Sequence, residues 1–472
     1  MTEKEVGGYL TVMLSLTLSV FISLCLVLIL GVRENTEKLE AECVTDIAMN
    51  SVLAEYHREL LNRYDLFFID TSYGTSFPSY EQTEARLEYY IKRNLSSEGV
   101  FLSTLYRKPL ELVPEDAEIT AVSVASDEGG KVLRRQAVDV MYQRVGLSYL
   151  EQLQSWVEIV ETYQLEEKDV AKSQKEILSA LEEWDITQLP DAYGKTGVTV
   201  SSYWDTFYLS FFANKDRIFS PRAIYPEEYL SSREVLTGSG MNPAITFEDG
   251  WWDKLIFQEY IMAYTGHYEA EREGSALAYQ TEYILFGRNG DLQNMESMIG
   301  RLLAIRAAAN FVYLLSDAQK TESVKAVSSV IAGLLATPSL EPVFRALILF
   351  SWAMAEGIYD VTVLLDGGKV PLLKSKDEWH YSLDNLWNFD GSVENAEGDK
   401  GLSYEDYLRI FLCFQDKEIM TKRLMDVMEM DIRLTPGNRY FRMDGCIDSL
   451  TAYITYRSAG DTFYKMERTY GY

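Results

Sequence analysis

Residues 9–32 contain no Asp, Glu, Lys or Arg, and the sequence that follows keeps a helical alternation of apolar and polar positions without a break. A helix rises about 1.5 Å per residue, so this stretch reaches roughly 36 Å, enough to cross a hydrocarbon core of roughly 30 Å. It predicts a transmembrane helix. The apolar run exceeds the h-region of about 7–15 residues in a secretory signal, and no small-x-small cleavage site separates it from Arg33. The reading is therefore an uncleaved anchor. Within it Ser15, Ser19 and Ser23 recur every fourth position and share one face, where small hydroxyls let a neighbouring helix come close in lipid. Lys4 precedes the span and Arg33 and Lys38 follow it, so basic residues leave its orientation nearly balanced.

Past the apolar run, Leu39, Cys43, Ile47, Leu53, Tyr56, Leu60 and Tyr64 fall mostly three or four apart. Glu37, Lys38, Glu40, Glu42, Glu55, Arg58 and Glu59 cover the other side. Neither Gly nor Pro occurs between residues 32 and 73. The pattern predicts one rod from residue 9 to about residue 64, with the Leu39 to Tyr64 face joining the anchor to a folded body. A short apolar β-like run at 65–70 and a turn at 71–74 end it.

In the body, residues 79–94 read as an amphipathic helix and 117–124 alternate like a strand. A helical tract follows over 131–184, in which Leu150, Leu153, Val157 and Val160 keep helical spacing. Pro190, Pro221, Pro226 and Pro243, interspersed with Gly194, Gly197, Gly238 and Gly240, then mark loops and a hinge. From Trp251 the texture is helical again, with Met298, Leu302, Ile305, Ala309 and Val312 on one face. The uncharged core 346–355 falls well short of the roughly 20 residues a membrane span needs. It reads as a buried helix closed by Gly367 and Gly368. Ser403 and Asp406 have capping-box spacing and predict a helix over 404–414. A further helix over 417–434 and a strand over 446–456 complete the chain, the strand pairing with the earlier ones.

The fold class is thus α+β, mostly helical: an N-terminal transmembrane helix continuous with a long amphipathic helix, then a soluble body of packed helices with a small β-sheet. The predicted divisions are a short leader at 1–8, the membrane helix at 9–32, the stalk at 33–68 and a mixed subdomain with a long helical hairpin at 69–184. A loop-rich linker at 185–250 and a mainly helical subdomain ending in strands at 251–472 follow.

Composition adds that the body is ordered, since the chain is 47% hydrophobic and 13% aromatic. Its net charge of −28 lies almost wholly outside the anchor. Such a surface repels nucleic acid. It keeps an exposed domain soluble and leaves room for Ca²⁺ or a cationic wall polymer as partner. Of four cysteines, only Cys413 and Cys446 sit where a disulfide could close a loop in the body, and no CxxC occurs. Buried free thiols are the simpler reading.

Motifs of catalysis are absent. His57, His267 and His380 are far apart and lack HExxH spacing. Gly194-Lys195-Thr196 lacks the first glycine of a phosphate loop, and Gly238-Ser239-Gly240 is turn chemistry. The acidic stretch from Asp390 to Asp399 has oxygen donors for Ca²⁺ without EF-hand spacing, and reads first as a solvated loop. Arg306 and Asn310 share a helix face suited to a buried polar network or an interface. No metal, cofactor or catalytic residue is expected.

A membrane helix opening into a long amphipathic helix is the plan of type IV pilins and pseudopilins. The run Asn50-Ser51-Val52-Leu53-Ala54-Glu55-Tyr56-His57-Arg58-Glu59-Leu60-Leu61 and the following Tyr64-Asp65-Leu66-Phe67-Phe68-Ile69-Asp70-Thr71-Ser72-Tyr73-Gly74 carry a more specific likeness. So do Gln280-Thr281-Glu282-Tyr283-Ile284-Leu285-Phe286-Gly287, Arg306-Ala307-Ala308-Ala309-Asn310, Gly367-Gly368-Lys369-Val370-Pro371 and Gly401-Leu402-Ser403-Tyr404-Glu405-Asp406-Tyr407-Leu408-Arg409. The chain resembles single-span proteins of Gram-positive anaerobes encoded with Tad (Flp-type) pilus assembly genes, described as TadE/TadG-like pseudopilins. The resemblance implies an address and an assembly context rather than a reaction.

In that context Gly8 before Tyr9 is the candidate site for a prepilin peptidase. Prepilins usually carry Glu at the fifth mature position, where this chain has Met13. An accessory subunit therefore fits better than a major pilin. The expected function is a noncatalytic, membrane-anchored pseudopilin-like subunit of a Tad pilus or secretion apparatus. Its partners are the bilayer, other Tad components through the N-terminal helix, and further copies of itself. Its large C-terminal part is extracytoplasmic. The alternatives are a membrane-tethered wall-polymer hydrolase, using two carboxylates, and an adhesive or binding module at the cell surface.

Overall fold

The computed structural model describes residues 3–96, 112–142, 144, 146–165, 218–239, 247–335, 337–386 and 398–472. The chain forms two compact units, Met1–Val132 with Val235–Phe247 and Pro436–Tyr472, and Leu133–Glu234 with Glu248–Thr435. Grouping follows strand pairing rather than chain order, so the closing strands belong with the N-terminal helix and not with the helices that precede them.

The first unit is a helix laid on a small sheet. Helix α1 (Glu3–Leu53) runs through both the apolar stretch and the start of the stalk without interruption. The sheet consists of β1 (Ile69–Asp70), β2 (Leu112–Val124), β3 (Cys446–Ser458) and β4 (Phe463–Gly471). β3 is central and antiparallel to all three others, with Ala452 opposite Ile119 of β2 and Arg468 of β4. Both faces of β3 are largely covered, which suits its run of apolar and small residues. Ala41, Val44, Ala48, Met49 and Val52 of α1 are buried with Leu450, Ala452, Ile454, Tyr456 and Met466 in one core. Helix α3 (Tyr80–Leu95) adds Leu87 and Ile91 to it.

The stalk departs from the predicted pattern in two ways. First, α1 ends at Leu53, and a short α2 (Arg58–Tyr64) follows a turn, so the rod does not reach residue 64. No Gly or Pro causes the break. His57 does: its Nδ1 accepts from Leu60 N–H at 3.2 Å, capping α2, and its own N–H donates to Phe68 O at 2.8 Å. Second, Leu39, Cys43 and Ile47 are exposed, at 59% and 51% for Leu39 and Ile47. The buried stripe lies instead on Ala41, Val44, Thr45, Ala48, Met49 and Val52. Alanines let the sheet approach the helix axis closely, and Thr45 Oγ1 lies 2.9 Å from Tyr456 Oη. Leu53, Leu60 and Tyr64 are buried as expected, and Tyr56 is half-buried.

The second unit is helical. It holds most of α4 (Asp127–Tyr142), then α5 (Leu147–Thr162), α6 (Trp251–Tyr264), α7 (Gln280–Phe286), α8 (Asp291–Ser316), α9 (Ala318–Leu334) and α10 (Glu341–Leu365). The short α11 (Leu383–Leu386), α12 (Tyr404–Phe414) and α13 (Lys417–Arg433) complete it. Leu150, Leu153, Val157 and Val160 of α5 are all buried, as their spacing predicts. Helices α8 and α10 cross closely at Gly357, where a Cβ would stand 3.3 Å from Leu303 Cδ1 and 3.4 Å from Ala307 N. Gly367, at φ +81°, ends α10. The capping box forms at α12, with Ser403 N–H donating to Asp406 Oδ2 at 3.0 Å.

Among the described residues three helices are long and apolar enough to cross a membrane by length and composition: the α1 segment from Tyr9, α8, and the segment Pro338–Leu365 that contains α10. They differ in where their apolar surface goes. None of the most apolar window of α1 is buried, against 61% for α8 and 83% for Pro338–Leu365.

Candidate functional site

The serines of the apolar helix are satisfied within it. Ser19 Oγ donates to Leu16 O at 2.9 Å and Ser23 Oγ to Ser19 O at 2.8 Å, so these two hydroxyls are paired within the helix. Ser15, Ser19, Ser23 and Tyr9 are exposed along α1, and Gly8 lies within its first turns. The helix emerges from its apolar run through Arg33, whose Nε donates to Glu37 Oε1 at 2.8 Å; Tyr464 Oη of β4 donates to Glu37 Oε2 at 3.0 Å. Burial raises the Glu37 carboxyl, but the Arg33 and Tyr464 hydrogen bonds outweigh it and hold it below the usual range.

In the helical unit, Arg306 and Asn310 form a buried polar network, the first of the two roles their spacing allows. Arg306 Nε donates to Asp360 Oδ2 at 3.0 Å, and its Nη1 reaches Pro371 O at 2.9 Å, Leu372 O at 2.8 Å and Tyr407 Oη at 3.0 Å. Asn310 Nδ2 donates to Asp360 Oδ2 at 3.0 Å. Lys374 pairs with Asp360 and Glu356, and Glu356 also accepts from His380 N–H and Tyr381 N–H, both at 2.9 Å. Two cations thus balance two fully buried carboxylates. The charges pair with one another, and Asp360, Pro371, Lys374 and His380 of the set also line a cavity of about 340 Å³.

A different cluster has the chemistry of a ligand site. Residues 267–270 form a tight turn in which His267 N–H donates to Ala270 O and Ala270 N–H to His267 O, each at 3.0 Å. Gly266 enters it so tightly that a Cβ would stand 2.7 Å from Arg272 N. Tyr268 N–H donates to Glu282 Oε1 at 3.0 Å, and Tyr404 Oη donates to the same oxygen at 2.6 Å. This fixes the turn against the start of α12. His267, Glu269 and Glu405 meet there, with one donor atom from each lying within 4.8 Å of the others.

His267 is 4% exposed, its Nε2 is 3.4 Å from Glu405 Oε1, and its Nδ1 is buried with no hydrogen-bond partner among the described residues. Burial lowers the pKa of His267 against the pull of Glu405, which favours the neutral ring. Arg409 Nη1 donates to Glu405 Oε2 at 3.2 Å and Arg409 Nε to Glu259 Oε1 at 3.1 Å, which orients Glu405 and leaves Oε1 toward His267. Desolvation, together with the like charges of Glu405 and Asp406, pushes Glu269 up to about 7. That residue is nevertheless exposed. Water screens part of the shift, and its direction is toward the protonated carboxyl. Glu282 behind the turn is fully buried and is likewise pushed up to about 7 by burial. Glu269 also lines a cleft of about 790 Å³ with Phe219, Arg222, Tyr268, Tyr279 and Gly367.

Other sequence candidates resolve into structure. Cys413 and Cys446 are free, each buried in its own unit, with Cys413 Sγ donating to Gln258 Oε1 at 3.1 Å. Burial pushes the Cys413 thiol up to about 12. Gly238 N–H donates to Asp127 Oδ1 at 2.9 Å and Ser239 O accepts from Val122 N–H at 2.6 Å, which is turn and strand-edge chemistry. The Gly194-Lys195-Thr196 segment, the helical tract beyond residue 165 and the acidic loop before Gly398 lie outside the described residues. The His267 cluster was not found from sequence because its members sit on a turn and on a helix start far along the chain, with no repeat spacing between them.

The chain belongs to a family of unknown function, DUF5702, which it matches over residues 193–458. The matched span contains the Arg306 network and the His267 cluster and leaves out α1. No curated protein and no solved structure matches the chain.

Proposed function

We propose that this chain is a noncatalytic, membrane-anchored, pseudopilin-like accessory subunit of a Tad (Flp-type) pilus or secretion apparatus, displaying an acidic body on the extracytoplasmic side. The observation that carries the reading is the single helix α1, with none of its most apolar stretch buried and one face of its second half packed on an antiparallel sheet. A flexible tether would serve an anchored enzyme equally well. A rigid helix fixes the angle and height of the body above the bilayer, which is a property that a packed assembly uses and a solitary enzyme does not. The outward-facing Leu39, Cys43 and Ile47 extend apolar surface past the membrane run and give a neighbouring helix, from another component or a second copy, a continuous seat.

Ser15, Ser19 and Ser23 supply the close approach inside the bilayer, since helix association in lipid depends on small residues rather than on a hydrophobic driving force. Replacing Ser19 with Leu fills that face without adding a charge. Co-purification of other Tad components with the intact, detergent-extracted protein should fall several-fold, with total membrane-bound protein unchanged. Equal recovery of partners with the S19L protein would remove the packing role. The mass of the N-terminal peptide in the same preparation reads whether the chain begins at Tyr9, after cleavage at Gly8.

A further inference from the structure

We infer that His267, Glu269 and Glu405 bind one divalent transition-metal ion of the Zn²⁺ class, which ties the 267–270 turn to the start of α12. This goes beyond the assembly role above and does not depend on it. The separation of the donors is the first argument. A nitrogen and an oxygen each about 2.0–2.2 Å from a shared tetrahedral ion stand roughly 3.3–3.5 Å apart, and His267 Nε2 is 3.4 Å from Glu405 Oε1. That distance is long for a hydrogen bond. The third donor, on Glu269, lies within 4.8 Å of the other two and belongs to an exposed side chain at the cleft wall, free to close the remaining gap by rotation.

The second argument is the state of the imidazole. His267 is 4% exposed; its Nδ1 is buried without a hydrogen-bond partner among the described residues, and its Nε2 faces a carboxylate. A neutral imidazole carries one N–H and one lone pair. If Nε2 holds the proton, the Nδ1 lone pair is buried and unused; if Nδ1 holds it, the Nε2 lone pair points at carboxylate oxygen. A cation between Nε2 and Glu405 converts the second, repulsive arrangement into two bonds. Arg409 pairs with the other oxygen of Glu405, Oε2, and with Glu259 and Asp406, while Glu405 Oε1 faces His267.

The donor set selects the metal. One imidazole with two carboxylates suits Zn²⁺ and its first-row neighbours. Ca²⁺ takes six to eight oxygens and Mg²⁺ keeps most of its water, so neither uses the histidine. Three protein ligands leave a fourth position, and the cleft beside Glu269 is where water would fill it.

The test uses the full chain in detergent, stripped with EDTA and titrated with ZnCl₂ at pH 7.5 by calorimetry, with thermal unfolding followed in parallel. The wild type should bind Zn²⁺ with an upward shift in its melting temperature. In Glu269→Gln and Glu405→Gln the stoichiometry should fall by one site, or that site should weaken at least tenfold. Because Glu269 is exposed, E269Q should melt like the wild type in EDTA, so a loss of binding is separable from a loss of fold. His267→Ala serves as the third variant. Absence of a melting shift with Zn²⁺ in the wild type would overturn the inference. So would E269Q and E405Q proteins that retain the wild-type stoichiometry and affinity, or a response to CaCl₂ in place of ZnCl₂.

Discussion

Replacing Arg306 with leucine should destabilise the helical unit by about 3–5 kcal/mol, the range for removing one partner of a buried ion pair. The side chain is fully buried and makes four donor contacts outside its own helix, to Asp360, Pro371, Leu372 and Tyr407. Leucine fills part of the volume and none of the hydrogen bonds. Asp360 keeps Lys374 and Asn310, but the two carbonyls on the 371–372 segment lose their shared donor, each a desolvated acceptor worth about 1–3 kcal/mol when orphaned. Lysine is not an adequate replacement, since a point charge cannot span carboxylate, carbonyls and phenol as the guanidinium fork does. The urea midpoint of the helical transition, followed by circular dichroism, should drop strongly in R306L and substantially in R306K. A loss below about 1 kcal/mol, the level of an exposed pair, would mean the network is not closed as described.

The second large effect is expected at Thr45. Proline there removes the N–H that continues α1 and clashes with the preceding turn, at about 3 kcal/mol or more in a helix interior. It also removes the hydroxyl that meets Tyr456 Oη at 2.9 Å across the helix–sheet interface, a contact worth about 1 kcal/mol. Thr45→Val isolates that smaller loss, because it keeps the backbone and most of the shape. T45P should lower the melting temperature of the first unit far more than T45V and expose residues 33–53 to protease. Equal melting of the two variants would show that this half of α1 does not depend on helical continuity.

Legibility in the sequence followed the range of the interaction. The apolar run of α1, the 150, 153, 157, 160 stripe of α5 and the Ser403–Asp406 box are local patterns, and each appears in the fold where it was read. The pairing of β2 with β3 was foreseen only as a small sheet, because strands so far apart in sequence carry no record of register. On the stalk, hydrophobicity pointed to Leu39 and Ile47, while the sheet chose the alanine side because it allows closer approach. Histidine as a helix cap is an uncommon signal, so the break at residue 54 was missed. Arg306 and Asn310 were readable as a pair on one helix face, yet Asp360 and Lys374 had to be supplied by other segments. The His267 cluster had no sequence signature at all: a His-x-Glu on a turn is commonplace until α12 brings Glu405 to it.

The central claim is that one helix lies in lipid at its start and in the folded body at its end. Two native thiols on α1 report on it: Cys25 in the apolar run, and Cys43, exposed on the stalk, while Cys413 and Cys446 are buried. They stand roughly 27 Å apart along the helix at 1.5 Å per residue. A membrane-impermeant maleimide applied to intact cells should label Cys43 and leave Cys25 protected until detergent is added. Labelling of Cys25 as readily as Cys43 without detergent, or recovery of the full-length chain in the aqueous fraction, would contradict the account.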